Sequence, residues 1–231
     1  MKSENVSEQY KNCWFQSTCK EEKCPEICIK YEHMLDMFKK SGLNENQWYK
    51  YEFEDPIEDI EAYRKLYELS KNMESFYDNF KSLYIWSDKY LNGKTTWSIK
   101  LLQNYLVLWT NYRFDYPCGY FISGNKIKEA FKSQVDNPEL YNNITNNLKK
   151  AELLVIDNVD DIIGDQKVEN YLAGILDERF SAKHSVIYTS HLSPDRVRQR
   201  TQNGFLISRI LDLSDTIEFK APTYKINKEV K

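Results

Sequence analysis

Five short apolar runs, separated by amphipathic segments, restrict the fold of this chain more than any other feature. The apolar runs lie at 83–86, 119–122, 153–156, 186–188 and 216–219. Between these runs lie segments in which apolar residues have the spacing of amphipathic helices, at 97–108, 126–135, 140–148, 168–180 and 205–211. Strands that alternate with helices form a parallel sheet, because each helix carries the chain back across the sheet. We therefore predict an α/β fold with a five-stranded parallel sheet flanked by helices.

The residues before this sheet have a different pattern. An acidic stretch comes first. The apolar residues from Ile57 to Phe80 then have the spacing of one long amphipathic helix. Asp55-Pro56 has the form of an N-cap with proline at the first helical position. A shorter helix is expected from Ile29, and Gly42 ends it. The chain is thus predicted to contain a cysteine-rich module, an acidic linker with its helix, the sheet domain and a basic tail, over residues 1–45, 46–81, 82–222 and 223–231.

The composition limits where the protein acts and what it binds. No apolar run approaches the length of about 18 residues that a membrane helix needs, and Met1–Gln9 is polar, so neither a span nor a secretory signal is expected. The net charge is −3, so contact with nucleic acid must come from a local basic face. We expect a cytoplasmic protein of a bacterial host cell, where thiols stay reduced.

Four of the five cysteines lie close together near the N-terminus, at Cys13, Cys19, Cys24 and Cys28. Clustered thiols in a reducing compartment favour metal binding over disulfides, and four thiolates satisfy tetrahedral Zn²⁺. So short a segment also needs a metal to hold a fold. The spacing lacks the C-x-x-C pair of most zinc sites, and His33 can replace one thiol. The alternative is that these cysteines are small buried apolar residues beneath a helix.

A phosphate-binding pattern follows the first apolar run. Strand, loop, Gly93-Lys94-Thr95 and amphipathic helix stand in the order that a P-loop requires. The backbone from Asn92 to Thr96 is expected to cradle the phosphates of ATP or ADP, at the positive end of the helix. The Lys94 ammonium then reaches the outer phosphates, and the Thr95 hydroxyl holds Mg²⁺.

Two residues of this loop depart from the usual pattern. Asp88 replaces the first glycine, and its carboxylate repels a polyphosphate. Leu91 stands where many such loops have another glycine, and a leucine resists positive φ. We therefore expect nucleotide to bind more weakly than in a loop with all its glycines. The alternative for the motif is a solvated turn that caps a helix.

The run Glu152–Ile156 ends in Asp157, which is the layout of a Walker B strand. The carboxylate of such a strand holds Mg²⁺ opposite the P-loop threonine. An ordinary strand with a capping aspartate is the alternative. The next residue is Asn158, at a position where a catalytic carboxylate usually follows, and an amide cannot accept a proton from water. Asp160 and Asp161 are the nearest substitutes.

Two further features lie downstream. The fourth apolar run ends in Ser190 and His191, which can reach the terminal phosphate or its attacking water. A basic stretch from Arg179 to Arg209 surrounds this run, and in it Arg209 interrupts an apolar pattern and is therefore constrained. We expect weak, sequence-independent and salt-sensitive binding of single-stranded DNA by this stretch. Its basic residues are Arg179, Lys183, Arg196, Arg198, Arg200 and Arg209.

The order and spacing of these motifs resemble the DnaC/IstB-like AAA+ proteins, in particular phage and Gram-positive helicase-loader-like members. The resemblance runs from about Leu83 to Lys220. It is carried by Leu83–Ser87, Asn92–Thr96, Ala151–Asp157, Thr189–Ser193, Ser208–Ile210 and Thr216–Lys220.

The resemblance implies an ATP-binding protein that binds the replicative helicase, of the DnaB type, and helps load it on single-stranded DNA during DNA replication. It places Lys94 and Thr95 on the nucleotide, Asp157 on Mg²⁺ and His191 at the position of the sensor asparagine. Arg209 falls at the arginine that reaches the ATP of a neighbouring subunit, so a homo-oligomer or a helicase-bound neighbour is expected.

Hydrolysis is expected to be weak or to need a partner. Asn203-Gly204-Phe205 replaces the family's Gly-Glu-Arg block, and Asn158 and the altered loop add to this departure. Two other functions therefore stay open. The first is an adaptor that holds the helicase without chemistry, and the second is a transposition helper ATPase of the IstB type.

Overall fold

The computed structural model describes residues 13–15, 19, 28–53, 57–112, 115–201, 203–222 and 226–227. The helices are α1 (Ile29–Lys40), α2 (Ile60–Lys71), α3 (Met73–Asp78), α4 (Lys94–Leu108), α5 (Gly124–Lys132), α6 (Pro138–Lys150), α7 (Gln166–Ser181), α8 (Pro194–Arg200) and α9 (Gly204–Ile207). The strands are β1 (Glu52–Phe53), β2 (Ser82–Trp86), β3 (Gly119–Ser123), β4 (Leu153–Asp157), β5 (Ser185–Ser190), β6 (Ser214–Glu218) and β7 (Ile226–Asn227).

The predicted parallel sheet is confirmed. Its five strands lie in the order β3-β4-β5-β2-β6, and every neighbouring pair is parallel. Strand β5 therefore separates β2, which leads into the phosphate loop, from β4, which ends in Asp157. The carboxyl ends of all these strands meet at one edge of the sheet, where ligands of such folds bind.

Helices cover both faces of the sheet, and the strand residues alternate between two cores. Leu83 and Ile85 face the core that α1 to α4 complete, whereas Tyr84 faces the core formed with α5, α7 and α9. Strand β4 alternates in the same way, and all its residues are buried. A strand buried on both faces has a continuous apolar sequence, which is why it was visible in the sequence.

The prediction of a single helix from Ile57 to Phe80 is wrong, because the chain forms two helices there, α2 and α3. Asn72 separates α2 from α3 with non-helical backbone angles, φ −124° and ψ 37°. Its side-chain amide donates to the carbonyl oxygen of Glu68 at 2.9 Å, so it takes an acceptor from the last turn of α2. Asp55-Pro56, the predicted N-cap, lies outside the described residues.

Helix α1 ends as predicted. It stops at Lys40, and Gly42 follows with φ +76°, a conformation that favours glycine. A Cβ at Gly42 would collide with the carbonyl oxygen of Phe121, at β3. The fully buried Phe38 joins α1 to the core that contains α4. The division of the chain at residue 45 stays a prediction.

Arg179 is a buried cation at the amino-terminal edge of the sheet. It lies on α7, is 1% exposed, and donates to main-chain carbonyl oxygens of Leu148 and Ser185, each at 2.8 Å. It donates also to the carbonyl oxygens of Ala151 and Glu152. Burial lowers its pKa to about 10, so the side chain remains charged at pH 7. One side chain on α7 thus holds the end of α6, the connection that leads into β4 and the first residue of β5.

Within the described part of the chain, no helix combines the length and the apolar character that crossing a bilayer requires.

Candidate functional site

The predicted phosphate loop, residues 87–93, connects β2 to α4 at the carboxyl edge of the sheet. Gly93 precedes the first turn of α4 with φ +93°, in the left-handed region. Leu91 also adopts positive φ, at 56°, and its side chain is 84% exposed. A left-handed non-glycine residue costs about 1–2 kcal/mol. The loop therefore takes its turn without the usual glycine and holds strain at Leu91.

Lys94 lies inside this loop and is 4% exposed. Its ammonium donates to the carbonyl oxygen of Lys89 at 2.8 Å and to Oδ1 of Asn92 at 3.1 Å. Burial lowers the pKa of Lys94 to about 8, although the nearby charges of Asp160 and Asp157 oppose this shift. The lysine is thus a cation at pH 7, poised where an anion can replace its carbonyl partners.

Thr95 and Asp157 are brought together, as a magnesium site requires. The Thr95 hydroxyl donates to Oδ1 of Asp157 at 2.8 Å, across 62 residues of sequence. Thr189 of β5 donates to the same oxygen at 2.5 Å, and its Oγ1 accepts from the backbone N–H of Asn158 at 2.9 Å. Burial raises the pKa of Asp157, and the two hydroxyls oppose that rise. Hydroxyl and carboxylate oxygens are the donors that Mg²⁺ prefers, so these residues fit that ion.

The end of β5 lies against the same loop. Nδ1 of His191 is 3.5 Å from Nζ of Lys94, and the backbone N–H of His191 donates to Oδ1 of Asp160 at 2.9 Å. Burial, followed by the charge of Lys94, lowers the pKa of His191, so the ring is neutral at pH 7. The ring of Tyr90 lies over that of His191, with centroids 4.3 Å apart. Neither Tyr90 nor Thr189 was predicted from the sequence as a residue of the site.

Asn158 occupies a tight turn after β4. Its backbone is left-handed, with φ 52° and ψ 57°. A Cβ at Gly124 would collide with the Asn158 carbonyl oxygen, so the start of α5 approaches this turn closely. Asp161 follows in the same turn, and burial together with the charge of Asp160 raises its pKa. Asp160 is used to hold the end of β5, so its carboxylate has a structural role beside the site.

Arg209 lies in a π-helical turn that follows α9, over Ser208–Asp212. It forms an ion pair with Asp177 of α7 at 2.6 Å, and its guanidinium lies 4.1 Å from the ring centroid of Phe180 and 5.5 Å from that of Phe205. Among the described residues, no hydrogen bond or ion pair joins Arg209 to the phosphate loop. The role implied for it on a neighbouring subunit stays a prediction.

The basic surface predicted from Arg179 to Arg209 is smaller than the sequence indicates. Arg179 is buried and cannot contact phosphate, so its inclusion was wrong. Arg198 is paired with Asp212 at 2.6 Å, and Lys183 lies over the ring of Phe80 at 5.0 Å. An arginine in the middle of a helical pattern can belong to the core, which charge counting does not detect.

The predicted zinc site is only partly within the described residues. Cys24 lies outside them, whereas Cys13, Cys19 and Cys28 are described. Within the described ranges no group of three or more His, Cys, Asp or Glu side chains is placed to hold a metal. His33 lies with Nδ1 2.9 Å from the carbonyl oxygen of Thr110. The zinc site stays a prediction.

Comparison of the fold with solved structures identifies replication proteins. Domain III of the Thermotoga maritima replication initiation protein DnaA is similar with a TM-score of 0.63 and 19% identity, over 79% of this chain and 70% of that chain. The fold is that of DnaA domain III. The DnaC helicase loader is similar with a TM-score of 0.60 and 15% identity, over 77% of this chain and 100% of that chain.

A replication initiator DnaA bound to AMPPCP and single-stranded DNA is also similar. The TM-score is 0.56 with 17% identity, over 72% of this chain and 48% of that chain. No protein-family model and no curated protein sequence matches. The resemblance derived from the motifs therefore agrees with the fold, and at these identities the fold is what the comparisons establish.

Proposed function

We propose that this protein is a nucleotide-binding helicase loader of the AAA+ type. The observation that carries the proposal is the hydrogen bond between Thr95 and Asp157, because it joins the start of α4 to the end of β4. The Lys94 ammonium lies near enough to be affected by the charge of Asp157. A capped turn alone would leave Thr95 and Asp157 apart. Here the cation, the hydroxyl and the carboxylate of a Mg²⁺–nucleotide site share one edge of the sheet.

Each residue of the site has a role in this proposal. The backbone of Asn92, Gly93 and Thr96 holds the phosphates, and Lys94 exchanges its loop carbonyls for phosphate oxygens. Thr95 and Asp157 hold Mg²⁺, which screens the phosphate charge when it is bound. Nucleotide of this kind is bound by a protein of the same fold, DnaA with AMPPCP.

The partner proposed is a replicative DNA helicase of the DnaB type, acting on single-stranded DNA. Support comes from the fold, which is shared over the whole chain of the DnaC helicase loader seen in its crystal structure, and from the motifs that resemble that family. The N-terminal cysteines, with zinc, would form the part that holds the helicase, and Arg209 would act on a neighbouring subunit. We propose further that the protein serves the DNA replication of a phage.

Asn158 favours a second candidate function, in which the protein is an adaptor that binds the helicase and a nucleotide but does not hydrolyse the nucleotide. Its amide replaces the expected base, and Asp160 is engaged by the backbone of His191. Both forms require contact with the helicase, and they differ only in turnover.

Mixing the purified full chain with the replicative helicase of a bacterial host tests the proposal. Light scattering during gel filtration should show a complex heavier than the helicase alone, with Mg²⁺ and ADP or ATP present. Loading is then measured as helicase-dependent unwinding of a fork on circular single-stranded DNA. If no complex forms at micromolar concentrations with any nucleotide state, both forms of the function are wrong.

A further inference from the structure

A tyrosine side chain crosses from the phosphate loop to the end of β5. Tyr90 is 71% exposed, yet its ring lies on that of His191 with an interplanar angle of 34° and centroids 4.3 Å apart. The main chain of His191 is also held, since its backbone N–H donates to Asp160. The imidazole itself contacts Tyr90 and Lys94.

This bridge lies where the terminal phosphate of a nucleoside triphosphate belongs. A P-loop lysine reaches the β- and γ-phosphates, and His191 lies beside that lysine after the end of β5. Here Nζ of Lys94 and Nδ1 of His191 are 3.5 Å apart. A phosphate oxygen that accepts from two nitrogens at about 2.8 Å each holds them about 4.6–5.6 Å apart, the value depending on the angle at the oxygen. The two side chains must separate before an oxygen can enter.

Two other features of the loop act in the same direction. Asp88 is exposed beside Lys94, and its charge adds repulsion that grows with the charge of the ligand. Leu91 holds the loop in a left-handed turn at φ 56°, so the backbone beside Tyr90 is already strained and adjusts at further cost. The ring of Tyr90 contacts that of His191, whereas Gly93 and Thr95, in the inner part of the cradle, are partly exposed.

We propose that the Tyr90–His191 pair closes the terminal-phosphate position, so that this site selects a nucleoside diphosphate over a triphosphate. The inference rests on the proposed nucleotide site and specifies its ligand. Tyr90 is then the residue that determines specificity, and a triphosphate binds only after the aromatic pair separates. Such a protein stays in its diphosphate form unless a partner moves Tyr90.

Isothermal titration calorimetry on the full chain with Mg²⁺ tests the inference, with ADP and the non-hydrolysable AMPPCP as ligands. We expect ADP to bind about tenfold more tightly than AMPPCP, since an aromatic contact must be broken for the latter. Tyr90→Gly should bring the two affinities to within about twofold, chiefly by tightening AMPPCP. Tyr90→Phe keeps the ring and should retain the wild-type preference.

The exposure of Tyr90 makes both variants suitable for this comparison, and circular dichroism melting checks that they stay folded. Equal or tighter binding of AMPPCP by the wild-type chain overturns the inference alone, as does a preference for ADP that Tyr90→Gly leaves unchanged. If neither nucleotide binds at millimolar concentration, the nucleotide site itself is wrong, and the selection with it.

Discussion

Arg179 offers a test of how the sheet is held together, because one buried side chain serves four carbonyl groups. Its guanidinium donates to main-chain oxygens of Leu148, Ala151, Glu152 and Ser185. Arg179→Met keeps most of the apolar stem and removes all four donors. Each buried carbonyl that loses its partner costs about 1 kcal/mol, and relief from burying the charge offsets part of the sum. We expect the free energy of unfolding to fall by about 3 kcal/mol.

Urea denaturation followed by circular dichroism measures this change, with the linear extrapolation giving the free energy in water. Arg196→Met is the matched control, since Arg196 is exposed on α8, and it should change stability by less than about 0.5 kcal/mol. A loss below about 1 kcal/mol for Arg179→Met would show that water or the relaxed backbone satisfies these carbonyls, and the reasoning would fail.

Three further predictions concern the chemistry of the site and the N-terminal module. Lys94 is charged below its pKa of about 8, so Mg²⁺–ADP affinity should fall by up to about tenfold per pH unit above 8, measured by calorimetry from pH 7 to 10; a flat profile contradicts this. Asn158→Glu should raise ATP hydrolysis in the presence of helicase by about 10²-fold in a phosphate-release assay, and an unchanged rate means the missing base does not limit turnover. Elemental analysis should find about one zinc ion per chain bound by the four N-terminal cysteines, and freely titrating thiols in the folded protein would exclude it.

Much of the sheet is predictable from this sequence, since buried parallel strands are continuous apolar runs and each ends in polar residues. The pairing of Thr95 with Asp157 followed from the same rule, because parallel strands end at one edge. The break at Asn72 was missed, since the apolar spacing of α2 and α3 is nearly continuous. The side-chain hydrogen bond of Asn72 to the carbonyl oxygen of Glu68 sets that boundary, and the spacing of apolar residues gives no sign of this bond.

Thr189 and Tyr90 could not be predicted as site residues, because their contacts depend on which strands and loops are neighbours in the fold. Thr189 reaches Asp157 because β5 lies beside β4, and Tyr90 meets His191 because the loop turns at Leu91. Arg179 left a detectable signal. With Leu172, Ile175 and Leu176 it falls at positions i, i+3, i+4 and i+7 of the apolar stripe of α7, so its burial was open to prediction.

The central claim, that the loop around Lys94 binds nucleotide with Mg²⁺, is tested most directly by calorimetry of ADP binding to wild type and Lys94→Ala. Lys167→Ala is the control, since Lys167 is an exposed lysine on α7. We expect wild type and Lys167→Ala to bind ADP with the same affinity in the presence of Mg²⁺, and Lys94→Ala to show no measurable heat of binding. Equal binding by all three chains, or no binding by the wild type at millimolar ADP, would contradict the account.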